Sequence, residues 1–173
     1  MSATDELKMF GETAEDRWEY DVWLMARRTA LLYHYMAKAV IERLGREEGH
    51  KLIKEAIMEY GVHCGDATRE ALAAQGLPAT LENFGKVPDL PSRGWRWQRM
   101  ELSDGTAGTG VTLCPLARVW EDVGTDPATA RLYCFVDQAK IKGYNDAAYE
   151  CVHARNVLDG DTHCEVVFRP KSS

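Results

Sequence analysis

From Asp16 to Leu44, apolar residues return every three or four positions, at Trp18, Val22, Ala26, Ala30, Tyr33, Ala37 and Ile41. Arg27, Arg28, Lys38 and Glu42 fall between them. This period predicts an amphipathic helix of several turns, stopped by Gly45. A second helix is predicted from about Glu47 to Ala74, with Ile53, Ala56, Ile57, Tyr60, Cys64, Ala67 and Ala71 on its apolar stripe. Gly61 and Gly65 stand inside it, each costing about 1 kcal/mol of helix propensity against alanine. Glycines four apart point either to close approach by another backbone or a ligand, or to a break.

Residues 76–94 hold Pro78, Pro88 and Pro91 and read as a connecting segment. Beyond it the period falls to two. WRWQRMEL (95–102) alternates as a strand, SDGTAG turns, and GVTL is a short second strand. CPLARVWEDVG opens a helix at Pro115. Asp126 and Pro127 open another, which carries LYCFVDQAKIKG (132–143). CVHARNVL then turns through DGDT into HCEVVF as a hairpin. The expectation is a single α+β domain over 1–173: a helical region at about 16–75, the connection at 76–94, and an α+β region at 95–169. Within that α+β region, the further pair of helices lies on one face of a small antiparallel sheet.

Charge changes the picture of partners. The 21 Lys and Arg are interspersed with 27 Asp and Glu for a net −6, which argues against a nucleic-acid or anionic-membrane partner. The N-terminal MSATDELKMFGETAEDR lacks a signal-peptide core, and no run reaches transmembrane length, so a cytoplasmic protein is expected. Five cysteines without a C-x-x-C pair fit neither a disulfide scaffold nor a zinc ribbon, so reduced thiols are expected.

Several groups could carry chemistry. Cys114 precedes Pro115 at a helix start, where unpaired N–H groups favour a thiolate; the competing reading is a buried small hydrophobe. Projected at about 100° per residue, Leu132, Phe135, Val136 and Ala139 form one apolar arc. Ala130, Cys134, Asp137 and Ile141 gather opposite. A carboxylate on a second covered face either pairs, for instance with an arginine from the first half, or acts. In the last hairpin, alternation turns Cys164 inward with Val166 and Phe168 and sets His163 with Glu165 on the other face. Asp159 and Asp161 flank Gly160 as turn formers. Cys151, His153 and Arg155 share a strand face.

AIMEYGVHCGDATREAL, then Cys114-Pro115, then Cys134-x-x-Asp137, then Gly160-Asp161-x-x-Cys164 is an order of motifs similar to that of the L-2-amino-thiazoline-4-carboxylic acid hydrolase family. The resemblance covers roughly residues 40–169, and Gly61, Gly65 and Arg69 look like the family's helical signature. It implies hydrolysis of a cyclic amidine: water adds at the carbon between nitrogen and sulfur and a ring C–N bond breaks, leaving an S-carbamoyl cysteine. It also unites dubious residues into one candidate site. Cys114 attacks, Asp137 moves protons, Asp161 binds the cationic amidine or holds the turn, and Cys134 and Cys164 support them. His163 and Trp120 are assigned to substrate contact. No cofactor is expected, although a soft metal shared by Cys114, Cys134 and Cys164 stays open. The rival is a non-enzymatic domain holding a small or thiol-reactive ligand.

Overall fold

The structure, a computed structural model, describes residues 14–91 and 93–171. The N-terminal stretch read against a signal peptide is therefore largely outside the described residues. Helix α1 (Ala14–Leu44) and helix α2 (Arg46–Ala74) meet at Gly45, whose φ of 78° is a left-handed conformation natural to glycine. After the connecting segment come β1 (Arg96–Glu101), β2 (Ala107–Leu113), α3 (Pro115–Asp122), α4 (Pro127–Tyr133), α5 (Phe135–Asn145), β3 (Tyr149–Arg155) and β4 (Glu165–Pro170). No described helix is long and apolar enough to cross a membrane.

The architecture is the expected α+β, with its sheet as two antiparallel hairpins, β1–β2 and β3–β4. A single bridge joins them: Val111 and Cys164 exchange both backbone hydrogen bonds, each 2.9 Å. This bridge brings Cys164 beside the end of β2, three residues before Cys114.

Two apolar clusters form the core. One gathers Trp23, Ala30, Tyr33, Ile53, Val119 and Trp120 from α1, α2 and α3. The other gathers Leu72, Ile141, Tyr144 and Cys151, with Phe84 and Phe168 packed against it. On α1, Val22, Ala26, Ala30, Tyr33 and Ala37 are buried as the period predicts, but Trp18 stands in solvent.

The stripe of α2 is corrected. Its buried positions are Gly49, Ile53, Gly61, Gly65, Thr68 and Leu72, while Ala56, Tyr60 and Ala67 are exposed. From Tyr60 onward, where the apolar pattern runs through Tyr60, Cys64, Ala67 and Ala71, the buried face is rotated by one position. The cause is that α2 meets α5 through glycines rather than through large side chains. A methyl on Gly61 would lie 2.5 Å from the Ala139 Cβ, one on Gly65 would collide with the Lys140 carbonyl oxygen, and one on Gly143 with the Val62 carbonyl oxygen. The Arg69 guanidinium donates to the Gly143 carbonyl across the same crossing. Backbone-to-backbone contact over two turns holds α5 in one place along α2.

The helix expected to carry LYCFVDQAKIKG is likewise corrected. It is two helices, and Cys134 is their joint, closing a tight turn in which the Asp137 N–H reaches the Cys134 carbonyl at 3.3 Å. Beyond the joint, Ala139 and Gly143 press on α2 while Ile141 and Tyr144 fill the second cluster. The apolar arc expected at Leu132, Phe135 and Val136 is only half-buried.

Candidate active site

A cavity of about 420 Å³ lies between β2, the start of α3, the α4–α5 joint and the second hairpin. Trp95, Val111, Val166 and Phe168 supply much of its apolar wall, and residues 87–91 of the connecting segment cover it. A second lobe of about 260 Å³ reaches toward α1 and shares Asp89, Trp95, Cys114, Cys134, Asp137 and Lys140 with the first. Cys114, Cys134, Asp137 and Cys164, four positions from three separate stretches of the chain, thus face one space.

Each thiol is placed by a different local device. Cys114 is the residue from which α3 starts, fixed by the Pro115 that follows it and by the end of β2. Burial raises its pKa, and the Ala117 and Leu116 N–H groups and Trp95 offset only some of that. The helix start therefore does favour the thiolate as expected, yet desolvation wins. Cys134 sits at the helix joint. Burial pushes its thiol up to about 12 against the opposing pull of Asn156 and Arg131. Cys164 accepts from the Val157 N–H at 3.4 Å, and burial raises it too. All three are thiols at neutral pH.

Asp137 is held from the hairpin side. Its Oδ2 lies 3.0 Å from His153 Nε2, and the ring's Nδ1 lies 3.2 Å from Asn156 Nδ2. The Leu158 N–H donates to Asn156 Oδ1 at 2.9 Å, which turns the Asn156 amide N–H toward the imidazole. Nδ1 must then accept, and the ring proton resides on Nε2, donated to Asp137. His153 is 2% exposed, whereas the Asp137 carboxyl is 31% exposed. Among the described residues its second oxygen has no protein partner, so it is available to a ligand. The arginine partner considered for Asp137 is replaced by a histidine.

Two expected site residues lie outside both lobes and a third only borders the smaller one. Asp161 accepts from the Asn156 N–H at 2.8 Å and does not line the cavity. His163 donates toward Glu165 at 2.9 Å on the far side of the hairpin from the cavity. Trp120 is buried in the first cluster with its indole N–H on the Ala30 carbonyl at 2.9 Å, and it touches only the smaller lobe. Conversely, His153, Asn156, Lys140 and Asp89 line the cavity without having been assigned to it. Strand alternation did place His153 beside Cys151; nothing local marks Asn156 as the residue that orients it. Among the described residues, no three His, Cys, Asp or Glu side chains are grouped to hold a metal ion.

Comparison with curated proteins and with solved structures found no match. Residues 25–168, most of the chain and every residue lining the larger lobe, match the sequence model of one family. The chain belongs to the L-2-amino-thiazoline-4-carboxylic acid hydrolase family.

Proposed function

We propose that this cavity hydrolyses a ring C–N bond of a small cyclic amidine of the 2-amino-thiazoline type. The observation that carries this reading is the convergence of Cys114, Cys134, Cys164 and a histidine-backed Asp137 on one largely apolar cavity. In the overall reaction water adds at the carbon between nitrogen and sulfur. The ring C–N bond breaks, the nitrogen leaves as an amine, and the carbon becomes the carbonyl of an S-carbamoyl product.

Asp137 pairs with the cationic amidine, and the apolar wall strengthens that attraction. Cys114 Sγ bonds to the amidine carbon while its proton passes to Asp137, which delivers it to the departing ring nitrogen. Water then adds to the same carbon, its proton passing to Asp137, and the Cys114 sulfur leaves and is reprotonated. Because burial raises the Cys114 thiol, attack needs such a base. His153 keeps the carboxylate aimed and does not itself touch substrate.

The same upward push favours a second reading, in which Asp137 deprotonates a water that attacks directly and the thiols only form the wall. Ring opening of 2-amino-thiazoline-4-carboxylate, followed by mass spectrometry of product and protein, separates the two. For a Cys114 nucleophile, Cys114→Ala lowers kcat by at least about 10³-fold, and acid-quenched wild type carries a covalent adduct. Activity within about tenfold of wild type in Cys114→Ala selects the water route. Saturable ligand binding with no ring opening by the wild type would establish the binding-module rival instead.

A further inference from the structure

Lys140 is a cation at the cavity that neither the attack nor the proton transfers employ. It follows Asp137 by three residues on α5, so the two side chains leave the same helical face about 5–6 Å apart at Cβ. Lys140 lines both lobes, its side chain is only 10% exposed, and its Nζ lies 2.7 Å from Asp89 Oδ2. Asp89 belongs to the connecting segment that covers the cavity, and its side chain is 34% exposed. Among the described residues no arginine lines either lobe. Arg131 is near the thiols but is paired with Asp159 at 3.0 Å and stands outside the wall.

Resting on the cyclic-amidine reading, we infer that Lys140 anchors a carboxylate carried by the substrate, and that Asp89 occupies this place until the ligand carboxylate displaces it. A buried ammonium needs an anionic partner at all times. One supplied by a covering segment can be exchanged for a ligand's without leaving the charge bare. Asp137 and Lys140 then present one negative and one positive group to the same space. That is the complement of a ring bearing a cationic amidine at one position and a carboxylate two atoms away. A neutral or purely cationic amidine leaves Lys140 with Asp89 and gains nothing from it.

Two aromatic, hydrolysis-resistant probes that differ only in the carboxylate, 2-aminothiazole-4-carboxylate and 2-aminothiazole, test this by calorimetry on the full chain. The wild type should bind the carboxylate probe at least about tenfold more tightly. Lys140→Met should erase that preference, and Asp89→Asn, by removing the competitor, should tighten the carboxylate probe about threefold or more and leave 2-aminothiazole unchanged. Equal binding of both probes by the wild type overturns the inference, as does a preference that survives in Lys140→Met. Should Lys140→Met fail to fold, Asp89→Asn decides: unchanged or weaker binding of the carboxylate probe overturns it. Ring opening of the matching thiazolines is followed in parallel. Preference without ring opening keeps the anchor and sinks the hydrolase reading; ring opening without preference does the reverse.

Discussion

Among the described residues two carboxylate–histidine pairs have almost the same length, Asp137–His153 at 3.0 Å and Glu165–His163 at 2.9 Å. They differ in how many other donors each carboxylate satisfies. Glu165 is 1% exposed and takes the Ser103 N–H at 3.0 Å, the Ser103 hydroxyl at 2.6 Å, His163 and the Arg155 guanidinium at 3.3 Å. These bonds, led by Ser103, hold its pKa down at about 2. Both oxygens are engaged, Oε2 by Ser103, which pins the β1–β2 turn to β4, and Oε1 by His163 and Arg155 within the second hairpin, so neither is left for a ligand. Asp137 spends one oxygen on a buried histidine and offers the other to a cavity. Equal residue types at equal distance are therefore a structural clasp in one place and a candidate acid–base group in the other.

The sharpest way to break this contrast is to neutralise each carboxylate in turn. Asp137→Asn should lower kcat/KM for thiazoline ring opening by about 10³-fold with thermal stability close to wild type. Glu165→Gln should lower the melting temperature while leaving kcat/KM within a few-fold of wild type. Activity retained in Asp137→Asn, or abolished in a folded Glu165→Gln, would dissolve the distinction.

Next in size is a test of what aims Asp137. Gly65→Ala forces a methyl against the Lys140 carbonyl oxygen, a backbone atom that cannot turn away. Chemical denaturation should show a loss of about 3 kcal/mol. If the protein loses less than about 1 kcal/mol, α5 is not held against α2 as described.

The histidines give a smaller, more selective effect. His153→Gln should reduce kcat about 10- to 100-fold and change its pH profile, because the carboxylate loses its positioning donor, while His163→Gln should stay within about threefold. Equal effects from the two would count against the assignment.

The smallest effect is on stability with pH. Glu165 has a folded pKa depressed from 4.5 to about 2. Its contribution is present above 4.5 and lost as pH falls through about 2. Glu165→Gln should flatten that stretch of the acid limb in thermal melts; an acid limb as steep as wild type would count against the Ser103 clasp. At the alkaline end Cys134 and Cys151 are raised from 9.0 to about 12, mainly by burial. Their contribution is full below 9.0 and is lost as pH rises toward 12. Melts between these limits should fall in wild type and fall less in Cys151→Ala.

Much of this was legible along the chain because it is local. Periodicity located α1, α2 and both hairpins, the Cys114-Pro115 pair marked the start of α3, and alternation turned Cys164 inward. The α2 stripe misled because it weights large apolar side chains, whereas the contact with α5 is made by glycines that have none. His163 was preferred to His153 for a related reason: both are histidines in the same hairpin, and neither strand reveals which lies over the cavity.

By itself, then, the sequence determined the elements, their order, and the residue types able to do thiol and carboxylate chemistry, since these follow from short-range sterics and side-chain identity. Only the tertiary structure decided that the Val111–Cys164 bridge and the glycine crossing of α2 with α5 bring Cys114, Asp137 and Cys164 to one cavity. It also decided which carboxylate has an oxygen left over. Both outcomes depend on desolvation and on competing donors contributed by residues far away in the chain, and those are quantities that no local pattern encodes.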